Sequence, residues 1–185
     1  MYAHYDDQFT KLCAHSLLQD PPLPRPWGVF TSIVINGGGR VVTKDHTDEH
    51  DQPGMCVIFP FGTYDHTESA RLVCEDLGVD IEMPAGVPLL LPSALLRHRN
   101  TRIIGGQEVV RCSMVFWSAG GPFRWMDLGG KMVKNLTDDE KAARKARSSS
   151  RLGEILSWYP TERAPLPATA PADPKKELWD YYESE

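Results

Sequence analysis

Five polar residues sit in stretches of this chain that otherwise read as β-strand: His46, Asp48, His98, Arg111 and Ser113. Side chains alternate between faces along a strand, so His46 and Asp48 of His46-Thr47-Asp48 point one way, as do Arg111 and Ser113 of Arg111-Cys112-Ser113. Two imidazoles and one carboxylate form a ligand set that holds ferrous iron on one face and leaves its other positions open to cosubstrate and dioxygen. His98 lies 52 residues after His46, and Arg111 follows 13 residues later. An arginine there can hold the distal carboxylate of a 2-oxo acid bound at that metal. His46, Asp48 and His98 are therefore the candidate metal ligands, with Arg111 as the candidate cosubstrate anchor.

An isolated His-x-Asp arises often by chance, and the weight of this one comes from its setting. It follows a glycine-rich turn, Asn36-Gly37-Gly38-Gly39, and a short strand, and Arg-x-Ser occurs on the final strand. A strand buried on both faces has no cheap place for an arginine, so Arg111 needs an anionic partner. A zinc hydrolase fits less well, because no HExxH motif or second carboxylate base is evident. His50, in a polar run, and His66, after a glycine turn, read as surface histidines; a substrate-side role is the alternative for both.

Along the chain, Phe9, Leu12, Cys13 and Leu17 recur at helical spacing and predict a short helix within residues 1–20. The proline cluster at residues 21–26 ends it. Strands are expected at Phe30–Ile35, Arg40–Thr43, Met55–Pro60, Arg71–Cys74, Val79–Ile81, Val87–Leu91 and Val109–Trp117. Breaks are expected at residues 36–39, Phe61-Gly62-Thr63, Pro84-Ala85-Gly86 and Gly105-Gly106. Many short strands at this spacing predict a mainly β chain folded as a jelly roll with flanking N- and C-terminal helices. Thr137 and Glu140 form a capping-box pattern opening a basic helix, which the serines at 148–150 should weaken.

This gives four segments: 1–26, helix and proline-rich connection; 27–130, the β core; 131–159, the basic helix; and 160–185, a proline-rich acidic tail. The chain has a net charge of −5, yet residues 131–151 carry seven Lys and Arg against three Asp and Glu. That basic stretch is either a solvated helix face or a phosphate contact. No apolar run approaches membrane-spanning length, and the N-terminus lacks a secretory pattern, so an intracellular setting, nuclear or cytoplasmic, is expected. Cys13, Cys56, Cys74 and Cys112 are widely spaced and read as reduced structural thiols.

From about Trp27 to Gly129 the chain resembles the Fe(II)/2-oxoglutarate-dependent dioxygenases of the TET/JBP superfamily, particularly their compact fungal members. The resemblance is carried by Ile35-Asn36, His46-Thr47-Asp48, the segment 72–78, Pro84-Ala85-Gly86, the segment 92–98 ending at His98, and Arg111-Cys112-Ser113 running into 119–125. It implies a double-stranded β-helix, iron on His46, Asp48 and His98, and the 2-oxoglutarate C5 carboxylate on Arg111 helped by Ser113. Asn36 is implied as a further hydrogen-bonding group for 2-oxoglutarate, although turn initiation before three glycines explains it equally well.

The implied reaction consumes dioxygen and 2-oxoglutarate and oxidises 5-methylcytosine in DNA to 5-hydroxymethylcytosine and further. Arg97, Arg99, Arg102 and the basic helix are candidate phosphate contacts, with Arg124 and Trp125 read as structural. Two departures from the fungal pattern, Asp51 for Asn and Ser69-Ala70 for Gly-Gly, are expected near the entrance to the metal site and bear on the substrate. The alternatives are a 2-oxoglutarate-dependent hydroxylase of a protein or small molecule, and a non-catalytic metal-binding cupin-like module.

Overall fold

The computed structural model describes residues 2–15 and 27–159. The far end of the predicted first helix, the proline-rich connection and the acidic tail lie outside them. Helix α1 spans Tyr2–Cys13. Seven strands follow among the described residues: β1 Ser32–Asn36, β2 Cys56–Thr63, β3 Leu72–Cys74, β4 Val79–Ile81, β5 Leu89–Leu91, β6 His98–Asn100 and β7 Val110–Trp117. Helices α2, Gly120–Asp127, and α3, Asp138–Ser157, complete the order.

The strands make two sheets, one ordered β1-β7-β2-β5 and one β4-β3-β6, with every strand pair antiparallel. Side chains from both sheets line one shared cavity, so the fold is β-rich and jelly-roll-like. Beside that cavity, Cys56 and Ile58 of β2, Leu72 and Cys74 of β3, Met83 and Leu91 form a buried apolar cluster. Phe9 and Leu12 of α1 pack against Phe123 of α2 in a second cluster, which is why that helical stripe is apolar.

Four departures from the expected elements have physical causes. Residues Arg40–Thr43 do not form a strand: Arg40 makes a single bridge to Arg111, and its guanidinium reaches the carbonyls of Gly106 at 2.7 Å and Ile103 at 3.0 Å. Strand β2 runs through the expected break at Phe61-Gly62-Thr63, because all three residues pair with β7. Strand β6 lies outside the expected set, since His98-Arg99-Asn100 has no apolar alternation; its pairing with β3 makes it a strand. Helix α2 forms where no element is expected, and Pro122 is tolerated in its first turn because an amide proton there has no intrahelical partner to lose.

The predicted capping box at α3 is present, with the Thr137 hydroxyl accepting from the Glu140 amide at 3.2 Å and the Glu140 carboxylate accepting from the Thr137 amide at 2.8 Å. The helix then runs without interruption through the serines at 148–150.

Gly62 is the glycine on which the central pairing depends. Its φ is +122°, and a Cβ there would fall 2.2 Å from the Val110 carbonyl oxygen on β7. Gly62→Ala is expected to destabilise the fold by about 2–3 kcal/mol through backbone strain and displacement of β7. In a chain of this size that lowers Tm by roughly 5–10 °C in a thermal melt.

Candidate metal centre

The loop before β2 is laid against β6 and the segment after β7 by backbone hydrogen bonds. The His46 and His98 amides each donate to the other's carbonyl, at 3.1 and 2.9 Å, and Asn100 N–H donates to Thr43 O at 3.1 Å. Asp48 N–H donates to Ser93 O at 3.0 Å, Gln52 N–H to Ser118 O at 2.6 Å, and Gly120 N–H to His50 O at 2.9 Å. Residues 46–52 are therefore held by the scaffold at both ends.

These bonds bring the predicted triad together. His46, Asp48 and His98 place one ligand atom each within 4.8 Å of the other two. His46 Nε2 lies 3.3 Å from Asp48 Oδ1, and His98 Nε2 lies 4.0 Å from Asp48 Oδ2. Each imidazole also contacts a backbone carbonyl through Nδ1, His46 with Lys44 O at 2.7 Å and His98 with Leu96 O at 2.9 Å. A carbonyl only accepts, so Nδ1 is the donor in each contact, and Nε2, on the side of the carboxylate, is the nitrogen left for a metal. A histidine ligand oriented by a carbonyl on its other nitrogen is the usual support for a bound transition metal. The donor set and its arrangement fit ferrous iron.

Asn36, Arg111 and Ser113 line the same cavity as the triad, which has a volume of about 360 Å³. Val115 and Trp117 line it too, so the alternation that puts Arg111 and Ser113 on one face continues to the end of β7. Arg111 is 2% exposed. Its Nη1 donates to Ser113 Oγ at 3.4 Å, and Asn36 Nδ2 donates to the same oxygen at 3.2 Å. Its Nε has no hydrogen-bond partner, and no carboxylate among the described residues pairs with it. Burial lowers the guanidinium pKa, and the neighbouring Tyr64 hydroxyl partly offsets that. The anionic partner that Arg111 requires is thus absent among the described side chains, and the cavity is where one can be supplied.

Tyr64 joins the site without any mark in its local sequence. Burial raises the pKa of its phenol, the adjacent Arg111 opposes the shift, and the hydroxyl donates to Met83 O. Asn100 also lines the cavity. It lies two residues beyond His98 on β6, a position that strand periodicity could have found once that strand was recognised.

Asp51 lines the cavity as well, and burial together with the nearby Asp48 carboxylate pushes its pKa up to about 7. The other noted departure lies elsewhere: Ser69 and Ala70 are buried in the packing, with Ser69 Oγ accepting from the Ile104 amide at 2.9 Å, and they do not line the cavity. Burial holds the Cys56 thiol neutral by raising its pKa to about 11, and no disulfide joins the four cysteines.

His66 pairs with Glu82 at 3.1 Å and does not line the metal cavity. His50 is exposed and faces a different cavity. Two of the candidate phosphate contacts are engaged within the fold: Arg97 pairs with Asp45 at 2.6 Å and Arg99 with Glu75 at 2.8 Å. Arg102 is exposed. Arg124, read as structural, lines the second cavity, while Trp125 packs on His15 with ring centroids 4.9 Å apart. Among the described residues no helix is long and apolar enough to cross a membrane.

No protein-family model and no curated protein matches the chain. Among solved structures, "NgTET1 in complex with 5mC DNA" is similar with a TM-score of 0.43 and 21% identity, over 49% of this chain and 34% of that one. The matched region is about a third of that protein's length.

Proposed function

We propose that this protein is an Fe(II)- and 2-oxoglutarate-dependent dioxygenase that oxidises 5-methylcytosine in DNA to 5-hydroxymethylcytosine and further. The observation that carries the reading is Arg111, a buried guanidinium without a carboxylate partner among the described residues, in one cavity with two histidines whose Nε2 atoms face Asp48. A module that only bound metal would have no use for that cation.

His46, Asp48 and His98 would hold the iron, whose chemistry when bound is activation of dioxygen coupled to decarboxylation of the 2-oxo acid. Arg111 supplies charge-assisted hydrogen bonds to the C5 carboxylate, and Ser113 and Asn36 add neutral ones. The apolar walls formed by buried Ile58 and Leu72 and by half-buried Val115 restrict water around the reacting groups. A cavity of about 360 Å³ excludes a duplex, so a target base would have to leave the stack. The assignment of 5-methylcytosine comes from the sequence resemblance.

The test is succinate formation by anaerobically iron-loaded protein given 2-oxoglutarate and oxygen, with and without a 5-methylcytosine duplex. Stimulation by the duplex, with the oxidised base found in the DNA, is the expected result. Turnover indifferent to DNA would redirect the reading to hydroxylation of a protein or small molecule. Absence of turnover in every condition would leave the metal-binding module.

A further inference from the structure

A second cavity, of about 520 Å³, lies behind the loop that carries Asp48. Its walls come from residues 49–53, α2 and α3, with Gln8 of α1 also contributing. Asp51 lines both this cavity and the one around the triad, so a single loop separates them. That loop is fixed by the Gln52–Ser118 and Gly120–His50 backbone hydrogen bonds, and a Cβ at Gly120 would come within 2.9 Å of His50 O.

Arg124 of α2 and Arg144 and Arg147 of α3 converge on this cavity. Arg71, Arg97 and Arg99 elsewhere in the fold each pair with a carboxylate. Arg124 and Arg144 pair with none among the described residues, although Glu49, Asp127 and Glu154 also line the cavity. Those acids limit the site's attraction for polyanions in general and favour a ligand that engages the planar guanidinium forks directly. A phosphate diester does so with two acceptor oxygens. Trp158 on the same wall provides an aromatic surface suited to a base.

We propose that this cavity binds the backbone of the substrate strand, with Arg124 and Arg144 holding phosphate adjacent to a nucleotide whose base enters the triad cavity. The inference rests on the nucleic-acid reading above and deepens it by assigning the contact to the α2–α3 cavity rather than to the basic helix surface as a whole.

The test is fluorescence anisotropy of a labelled single-stranded oligonucleotide containing 5-methylcytosine, titrated with full-length protein across a salt series. Loss of each single-strand phosphate contact should lower the slope of log affinity against log salt by about 0.7. Arg124→Ala with Arg144→Ala is therefore expected to weaken binding at low salt by roughly 10- to 100-fold and to reduce the slope by about 1.4. Arg144→Ala alone, at an exposed position, should show about half that change in slope and spares the packing around α2. Lys145→Ala, on α3 but outside the cavity, should leave the slope nearly unchanged.

An unchanged slope in the arginine variants, an equal loss in Lys145→Ala, or no binding by the unaltered protein would overturn the proposal. Succinate formation without DNA, measured on the same preparations, reports separately on the dioxygenase reading. Arginine-dependent binding without succinate would sink that reading while leaving the site intact.

Discussion

Asp48→Ala is expected to abolish tight Fe(II) binding and to cut succinate formation by roughly 1,000-fold or more, since losing even an outer-shell partner of a metal ligand costs about 10- to 100-fold. The substitution removes the anionic member of the triad and leaves both imidazoles in place. The fold should survive it: the Asp48 side chain is 31% exposed, and its amide would keep the bond to Ser93 O. Removing the carboxylate also relieves its repulsion of Asp51. Anaerobic equilibrium dialysis with Fe(II), alongside circular dichroism, makes the comparison. Iron bound at unaltered affinity by a folded variant would remove the triad from the proposal.

Arg111→Met is expected to move stability and cosubstrate binding in opposite directions. In the absence of 2-oxoglutarate the guanidinium is buried without a carboxylate partner among the described residues, and an apolar side chain of similar length avoids that desolvation. The metal-free variant should be more stable by about 1–4 kcal/mol, the range found when buried ionic groups give way to well-packed apolar ones. Affinity for 2-oxoglutarate should fall by roughly 100- to 1,000-fold, since a buried hydrogen-bonded charge contributes about 3–4 kcal/mol when its partner is present. Thermal melts of the metal-free protein and the KM for 2-oxoglutarate provide the two readouts. A variant that is less stable and binds 2-oxoglutarate normally would make Arg111 a structural cation.

These two residues also show how much of the site was legible in sequence. Arg111 shares a face with Ser113 because strand side chains alternate, a rule that needs no partner strand. His46 and Asp48 instead lie in the loop before β2, where the bridge to His98 and the Asp48–Ser93 backbone hydrogen bond bring them together. The capping box of α3 is equally local, since Thr137 and Glu140 satisfy each other within one turn. Where the expectation failed, the deciding contact came from far along the chain. His98-Arg99-Asn100 has no apolar pattern and becomes β6 only against β3 and His46, while Phe61–Thr63 stays in β2 because β7 pairs with it.

Residue type and two-residue periodicity in the sequence determined the kind of chemistry available: two imidazoles, a carboxylate and a cation on strand-like segments. Only the tertiary structure decided that they share one cavity, that carbonyls turn both Nε2 atoms toward Asp48, and that Tyr64 stands beside Arg111. It also placed the α2–α3 arginines one loop away from the triad. The physical reason is range: alternation and capping act within a few residues, whereas strand register and burial depend on segments that meet only when the chain has folded.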